Sequence, residues 1–236
     1  MIHRAALLIA LILACSPVAA AEDDFTVSKG ELSNRDFYRA IACGAEVNGW
    51  CRTPIVRWPS DKRHPLRIYV EGPQAGFPPE NVKAVVASVR LAITEINVSG
   101  ADIRLEYSKD RAAPIHVYMV GARMGETMQG TGRERLDGTV IQAGIGTMRW
   151  NGGTREIVEA SIGIASDIPK PIIRSVVLEE IIQILGLPWD IRNPAYAGKS
   201  IFSEDSNNIF KLRRQDTFAL RLHYPTVCEK ASDCLQ

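Results

Sequence analysis

The stretch from Pro171 to Gly186 constrains the fold more than any other. On a helical wheel of about 100° per residue, Ile173, Val177, Leu178, Ile181, Ile182, Ile184 and Leu185 cover most of the circumference. A helix with that pattern is buried nearly all round. Proline suits its first turn, where the missing N–H has no helical partner. In its second half Glu179, Glu180 and Gln183 interrupt the apolar surface, and they share one arc of about 100°. Unpaired carboxylates are costly to bury, so this arc must meet water, a cation or hydrogen-bond donors. A wetted stripe on an ordinary packed helix explains it; the floor of a binding cleft is the sharper reading.

Residues 1–21 stand apart from the fold. Arg4 gives a positive start, Ala5 to Leu13 is apolar but too short to span a bilayer, and Ala19-Ala20-Ala21 offers a small-residue cleavage site. The expectation is a signal peptide and an exported protein, periplasmic or anchored in the cell envelope by lipid. Ile12-Leu13-Ala14-Cys15 also resembles a bacterial lipobox, which makes Cys15 a candidate lipidation site. Without residues 1–21 the chain carries 27 basic and 27 acidic side chains. That balance argues against a nucleic-acid partner, which needs a clustered basic footprint. Membrane attachment is expected only through Cys15.

Four cysteines remain: Cys43, Cys51, Cys228 and Cys234. An even number in an exported chain points to disulfides, with three connectivities open. Local pairing, Cys43 with Cys51 and Cys228 with Cys234, closes two short loops. Residues 22–60 read as an N-terminal extension holding the first loop, 61–227 as the main domain and 228–236 as a disulfide tail.

Within the extension, Ser33-Asn34 is placed to cap a short helix through Ala42, and Ile55 to Trp58 is strand-like. Leu66 to Val70 alternates as a half-buried strand does. Pro79 opens a long helix to about Val98, with Val82, Val85, Val89, Ile93 and Ile96 at helical spacing. Ile103–Tyr107 and Ile115–Met119 read as strands, as does Glu156–Ile164. Between Gly121 and Gly153 only a hairpin near Thr139 to Gln142 is expected, the rest being loop. Leu212 to Tyr224 closes the chain as a helix.

Glu179-Glu180-Ile181-Ile182-Gln183 has the frame of the H-E-x-x-H zinc helix, in which two imidazoles four residues apart hold one metal. Here Glu179 and Gln183 occupy the imidazole slots, Glu180 takes the general-base slot and Trp189 the third-ligand slot. Ser200-Ile201-Phe202 follows where a Ser-x-Met turn would lie, and LRRQDTFALRLHY where a closing helix would. With the order of elements, these blocks resemble the metzincin zinc proteases. The blocks Asp36-Phe37-Tyr38, Cys43-Gly44, Cys51 and Pro54 to Trp58, with Glu179 to Pro188 and Ser200 to Phe202, are similar to a proteobacterial envelope family of unknown function. Some of its members are described as candidate lipoproteins. The resemblance implies an α+β, metzincin-like (zincin-like) fold: a mixed twisted sheet packed on a long helix, with a cleft helix and a C-terminal helix.

Zinc is not expected, because His64, His116 and His223 have no second histidine at ligand spacing. Oxygen donors from Glu179, Glu180, Gln183 and Asp190 suit calcium or magnesium better. No metal and no cofactor is assigned. Without a metal-activated water, Glu180 has nothing to deprotonate by the metzincin route. A two-carboxylate glycosidase would need Asp190 or Glu204 to complete the pair. Gly144-Ile145-Gly146 lacks the third glycine of a dinucleotide fingerprint, and Gly198-Lys199-Ser200 lacks a P-loop's earlier glycine. The expected function is therefore non-catalytic: a peptide or protein ligand held in a vestigial cleft. Glu179, Glu180, Gln183, Trp189 and Asp190 would line it, with Glu156–Ile164 as the bordering edge strand. The rival readings are a hydrolase with an atypical carboxylate site, with Glu180 catalytic, and a lipid-anchored structural component.

Overall fold

The computed structural model describes residues 24–226. The expected signal peptide, Cys15, Cys228 and Cys234 lie outside the described residues. In chain order the elements are β1 (Phe25–Val27), α1 (Asn34–Cys43), β2 (Leu66–Val70), α2 (Pro79–Asn97), β3 (Leu105–Ser108), β4 (Ile115–Met119), β5 (Gly144–Trp150), β6 (Ile157–Ile164), a short 3₁₀ turn (Lys170–Ile172) leading into α3 (Ile173–Gln183), β7 (Asp190–Arg192) and α4 (Arg214–His223). The architecture is mixed α+β. A five-stranded sheet runs β3-β2-β4-β6-β5, parallel except for β5, which is antiparallel to β6. A two-stranded parallel sheet joins β1 to β7. No helix among the described residues is long and apolar enough to cross a membrane.

Local rules account for much of this. Ser33 caps α1 by accepting the Asp36 N–H at 3.1 Å, and Gly44 ends it with a left-handed φ of 66°. Central strands of a parallel sheet are buried on both faces, and β4 is buried at every residue. α2 and α3 lie on one face of the sheet, against Ile115, Val117, Met119, Ala160, Ile162 and Ile164. The opposite, outer face carries Tyr118, which joins Val120, Met128, Leu136, Ile141 and Ala165 in a smaller core beneath the 121–143 segment.

Residues 24–60 share the main core. Phe37, Ile41 and Trp58 are buried within it. The Trp58 indole N–H donates to the Ile184 carbonyl at 3.0 Å, and its backbone N–H to the Tyr224 hydroxyl at 3.2 Å. The strand-like 55–58 segment thus ties the end of α3 to the end of α4; only Arg57, bridged to Glu156, makes a strand-type contact there. Cys43 and Cys51 are disulfide-bonded.

Two expectations are corrected. The segment Glu156–Ile164 does not form an edge: β6 lies between β4 and β5. The edge on this side of the sheet is β5, with β3 at the other, and β5 lies in a stretch that reads as loop from sequence. Its inward positions are Gly144, Gly146 and Met148, so the apolar alternation that signals a strand is missing. The glycines are there for space. A Cβ on Gly144 would lie 2.6 Å from Val176 Cγ1 and 2.8 Å from Glu180 Oε1; one on Gly146 would lie 2.9 Å from Ile184 Cγ2. β5 can pack on α3 only if it lacks those side chains.

Candidate functional site

α3 carries Glu179, Glu180 and Gln183 towards Asp190, the first residue of β7. Glu180 and Asp190 are buried, at 6% and 7% exposure, while Glu179 and Gln183 are half-buried. The Gln183 amide donates to Asp190 Oδ2 at 3.0 Å. Glu180 Oε2 and Asp190 Oδ1 have no hydrogen-bond partner among the described residues. The sequence grouping of these four residues holds in space.

No cation among the described residues is paired with them. Burial and then the neighbouring Asp190 charge push the Glu180 carboxyl up to about 8, against an opposing pull from the Gly146 backbone N–H. Burial, then Asp190, Glu180, Glu204 and Asp24, raises Glu179 well above the usual carboxylate range. Burial, with Asp24 and Glu204, does the same to Asp190. Glu180 therefore keeps its proton at neutral pH, and the lack of a counter-charge shifts Glu179 and Asp190 in the same direction.

The N-terminal segment roofs this cluster. Asp190 N–H donates to the Asp24 carbonyl at 3.0 Å, and Phe25 to Val27 pair with Asp190 to Arg192. Trp189 is turned inward, at 8% exposure. Its ring lies on Gly44, its backbone N–H donates to the Ile41 carbonyl at 3.1 Å, and its indole N–H donates to Thr53 Oγ1 at 3.0 Å. Trp189 is thus a packing residue between β7 and α1, not the wall of an open mouth. The most exposed tryptophan among the described residues is Trp50, at 92%, in the loop closed by the Cys43–Cys51 disulfide. Loop position is the only sequence signal for it.

Among the described residues no three His, Cys, Asp or Glu side chains are grouped to hold a metal ion. The histidines are engaged elsewhere. His223 is fully buried; its Nε2 donates to the Val56 carbonyl at 3.1 Å, so Nδ1 accepts from the Tyr38 hydroxyl at 3.2 Å. Burial and the Arg57 charge push its pKa down to about 3. His116 faces acceptors on both nitrogens, Glu71 Oε1 and the Ala113 carbonyl, each at 2.9 Å. His64 pairs with Asp102 at 3.0 Å.

A second feature adjoins the same strands. β5 presents an edge with no strand paired to it among the described residues. On the outer face, register places Thr147 opposite Ser161 and Arg149 opposite Glu159. With Gly132 to Arg135 above them, these residues line a cavity of about 260 Å³. Arg149 Nε donates to Glu159 at 2.8 Å, and Arg133 Nε to the Tyr118 hydroxyl at 2.7 Å.

The profile of one family, described as protein of unknown function (DUF2927), matches residues 32–228. The chain belongs to the DUF2927 family. The match takes in α1, the disulfide loop, the whole five-stranded sheet, α3 and α4, so the family is defined by the entire domain and not by one motif. None of the curated proteins compared with the chain matches it.

Proposed function

We propose that this member of the DUF2927 family is an exported, non-catalytic protein of the cell envelope with a metzincin-like architecture. It binds an extended peptide or protein segment by adding a strand to β5. The free edge of β5 carries the reading, because a strand edge offers a row of backbone donors and acceptors to a partner chain. The order β2, long α2, four strands, α3, an irregular stretch and α4 is in keeping with the architecture. So is the tie between Ser200 Oγ and Asp216 Oδ1 at 2.6 Å, which joins the Ser-Ile-Phe turn to α4. The Glu179, Glu180 and Gln183 pattern, roofed by β1, supports a site without zinc chemistry. Attachment to the membrane is proposed only through Cys15.

Proline scanning of β5 tests the binding function. Along an antiparallel strand, backbone N–H groups alternate between the paired and the free side, so proline at Ile145, Gly146, Thr147 and Met148 removes one group at a time. The Ala165 N–H donates to the Ala143 carbonyl, so Gly146 and Met148 face the free side. Proline at each is compared with alanine at the same position, which costs the same packing against α3. The proline variants are expected to lose extended-peptide binding that the alanine variants keep, measured by fluorescence anisotropy. Binding retained in both proline variants would sink the reading. Mass spectrometry of the mature N-terminus tests export and the tether: Glu22 as first residue excludes lipid on Cys15.

A single observation favours the hydrolase alternative, namely that Glu180 holds a proton at neutral pH as a general acid must. Hydrolysis of peptide or glycoside substrates that disappears in Glu180→Gln would establish it.

A further inference from the structure

The side chains of a strand added to β5 would alternate between two faces of very different charge. On the inner face lie the α3 carboxyls, with Glu180 against Gly144 and Gly146. On the outer face lie Thr147 and Arg149, level with Ser161 and Glu159 of β6, under the 132–135 loop. Adjacent strands are spaced about 4.8 Å apart. An outer-face side chain of the added strand therefore stands beside Arg149 and within reach of the 260 Å³ cavity.

That cavity has guanidinium donors to offer. Arg149 uses Nε on Glu159 at 2.8 Å, and no hydrogen bond from its two terminal nitrogens is formed among the described residues. Arg133 Nη1 is 3.8 Å from the same carboxylate. Arg135 is exposed and has no ion pair among the described residues. Three guanidiniums thus face two carboxylates, Glu134 and Glu159. Planar guanidinium forks match carboxylates bidentately. The inner face gives no such invitation: it presents buried carboxyls with no cation beside them among the described residues, so a carboxylate entering there would lose its water without gaining a counter-charge.

We propose that the segment recognised at β5 is an acidic peptide, with carboxylate side chains at every second position. One of them enters the outer-face cavity and is held by Arg149 and Arg135. This rests on the edge-pairing function proposed above and adds the chemistry of the ligand. The alternation is the specific part: acids on one face of the added strand and neutral residues on the other, where Glu180 lies.

The test uses the full chain and three synthetic peptides of equal length: Glu alternating with Thr, Lys alternating with Thr, and Ser alternating with Thr. Affinity is read by fluorescence anisotropy. The Glu peptide is expected to bind at least about tenfold more tightly than the Ser peptide, the worth of one charge-assisted contact. The Lys peptide should bind least. Arg149→Gln and Arg135→Gln, both at exposed positions, should each reduce the Glu advantage and leave the Ser peptide unchanged. A Glu-rich peptide of the same composition with its acids in one contiguous block should lose most of the advantage. If the Ser peptide binds and the β5 proline variants abolish it, while Glu gives no advantage, edge pairing stands and the acidic preference is overturned. An advantage that survives both arginine changes overturns the acidic preference equally. If no peptide binds, both are overturned.

Discussion

Glu159 and Glu180 lie on opposite faces of the same pair of strands and behave as opposites. Glu159, on the outer face, has the Arg149 guanidinium at 2.8 Å; that hydrogen bond holds its carboxyl below the usual range. Glu180, on the inner face, has glycines beside it and no cation among the described residues, and burial drives it up to about 8. Composition does not separate them, nor does local sequence. What separates them is whether water or a guanidinium replaces the solvation each carboxylate loses. The inner face is a closed, proton-holding interior, and the outer face is an open, ionised one.

The largest expected effect that would break this contrast is on pH stability. An unfolded glutamate titrates near about 4.3, whereas folded Glu180 keeps its proton to about 8. Between those values the folded state binds more protons than the unfolded one, so stability falls as pH rises. The slope is about 1.4 kcal/mol per pH unit for each such proton, and it flattens above the folded value. Urea denaturation at pH 5, 6, 7 and 8 should show this loss. Glu180→Gln should remove one proton's worth of slope. Glu179 and Asp190 act in the same direction, so some slope should remain. A wild-type stability that rises from pH 5 to 8 would contradict the inner-face assignment.

Overpacking the same contact is the next largest effect. Gly146→Val places side-chain atoms against Ile184 and Glu180, and should cost about 1–3 kcal/mol, read as a lower Tm. Thr147→Val, on the outer face of the same strand, should change stability by less than about 0.5 kcal/mol. Equal effects would erase the distinction between the faces.

Glu159→Gln should have the smallest effect on stability. Its side chain is 42% exposed, and ion pairs of that kind contribute about 0–1 kcal/mol. Urea unfolding of this variant should show an unchanged pH slope between pH 5 and 8. The change also releases Arg149, so affinity for the Glu-alternating peptide should rise. A fall in that affinity would make Glu159 part of the recognition surface and not a competitor for its arginines.

How much of this is legible in the chain follows the range of the interactions involved. The α1 N-cap, the strands Leu66–Val70 and Ile115–Met119, and the long helix from Pro79 are set by residues within a turn or a few positions of one another. The grouping of Glu179, Glu180 and Gln183 is legible for the same reason, since it depends only on helical period. β5 is not. Its glycines are explained by α3 approaching from about 30 positions later in the chain, and nothing local records that approach. Sequence position points Trp189 to a cleft mouth, because the residues that cover it, Gly44 and Thr53, precede it by more than 100 positions.

The sequence by itself determined a buried helix with one polar arc and a domain of mixed helices and strands, and it offered the local pairing of Cys43 with Cys51 that the structure makes. Those are consequences of periodicity, capping and short loop closure, which act along the chain. Tertiary structure alone decided that β5 is an edge strand, that the polar arc is roofed by β1, and that Glu180 keeps its proton at neutral pH. Strand partners, burial and carboxyl charge depend on which distant segments arrive beside a residue, and on whether they bring a counter-charge.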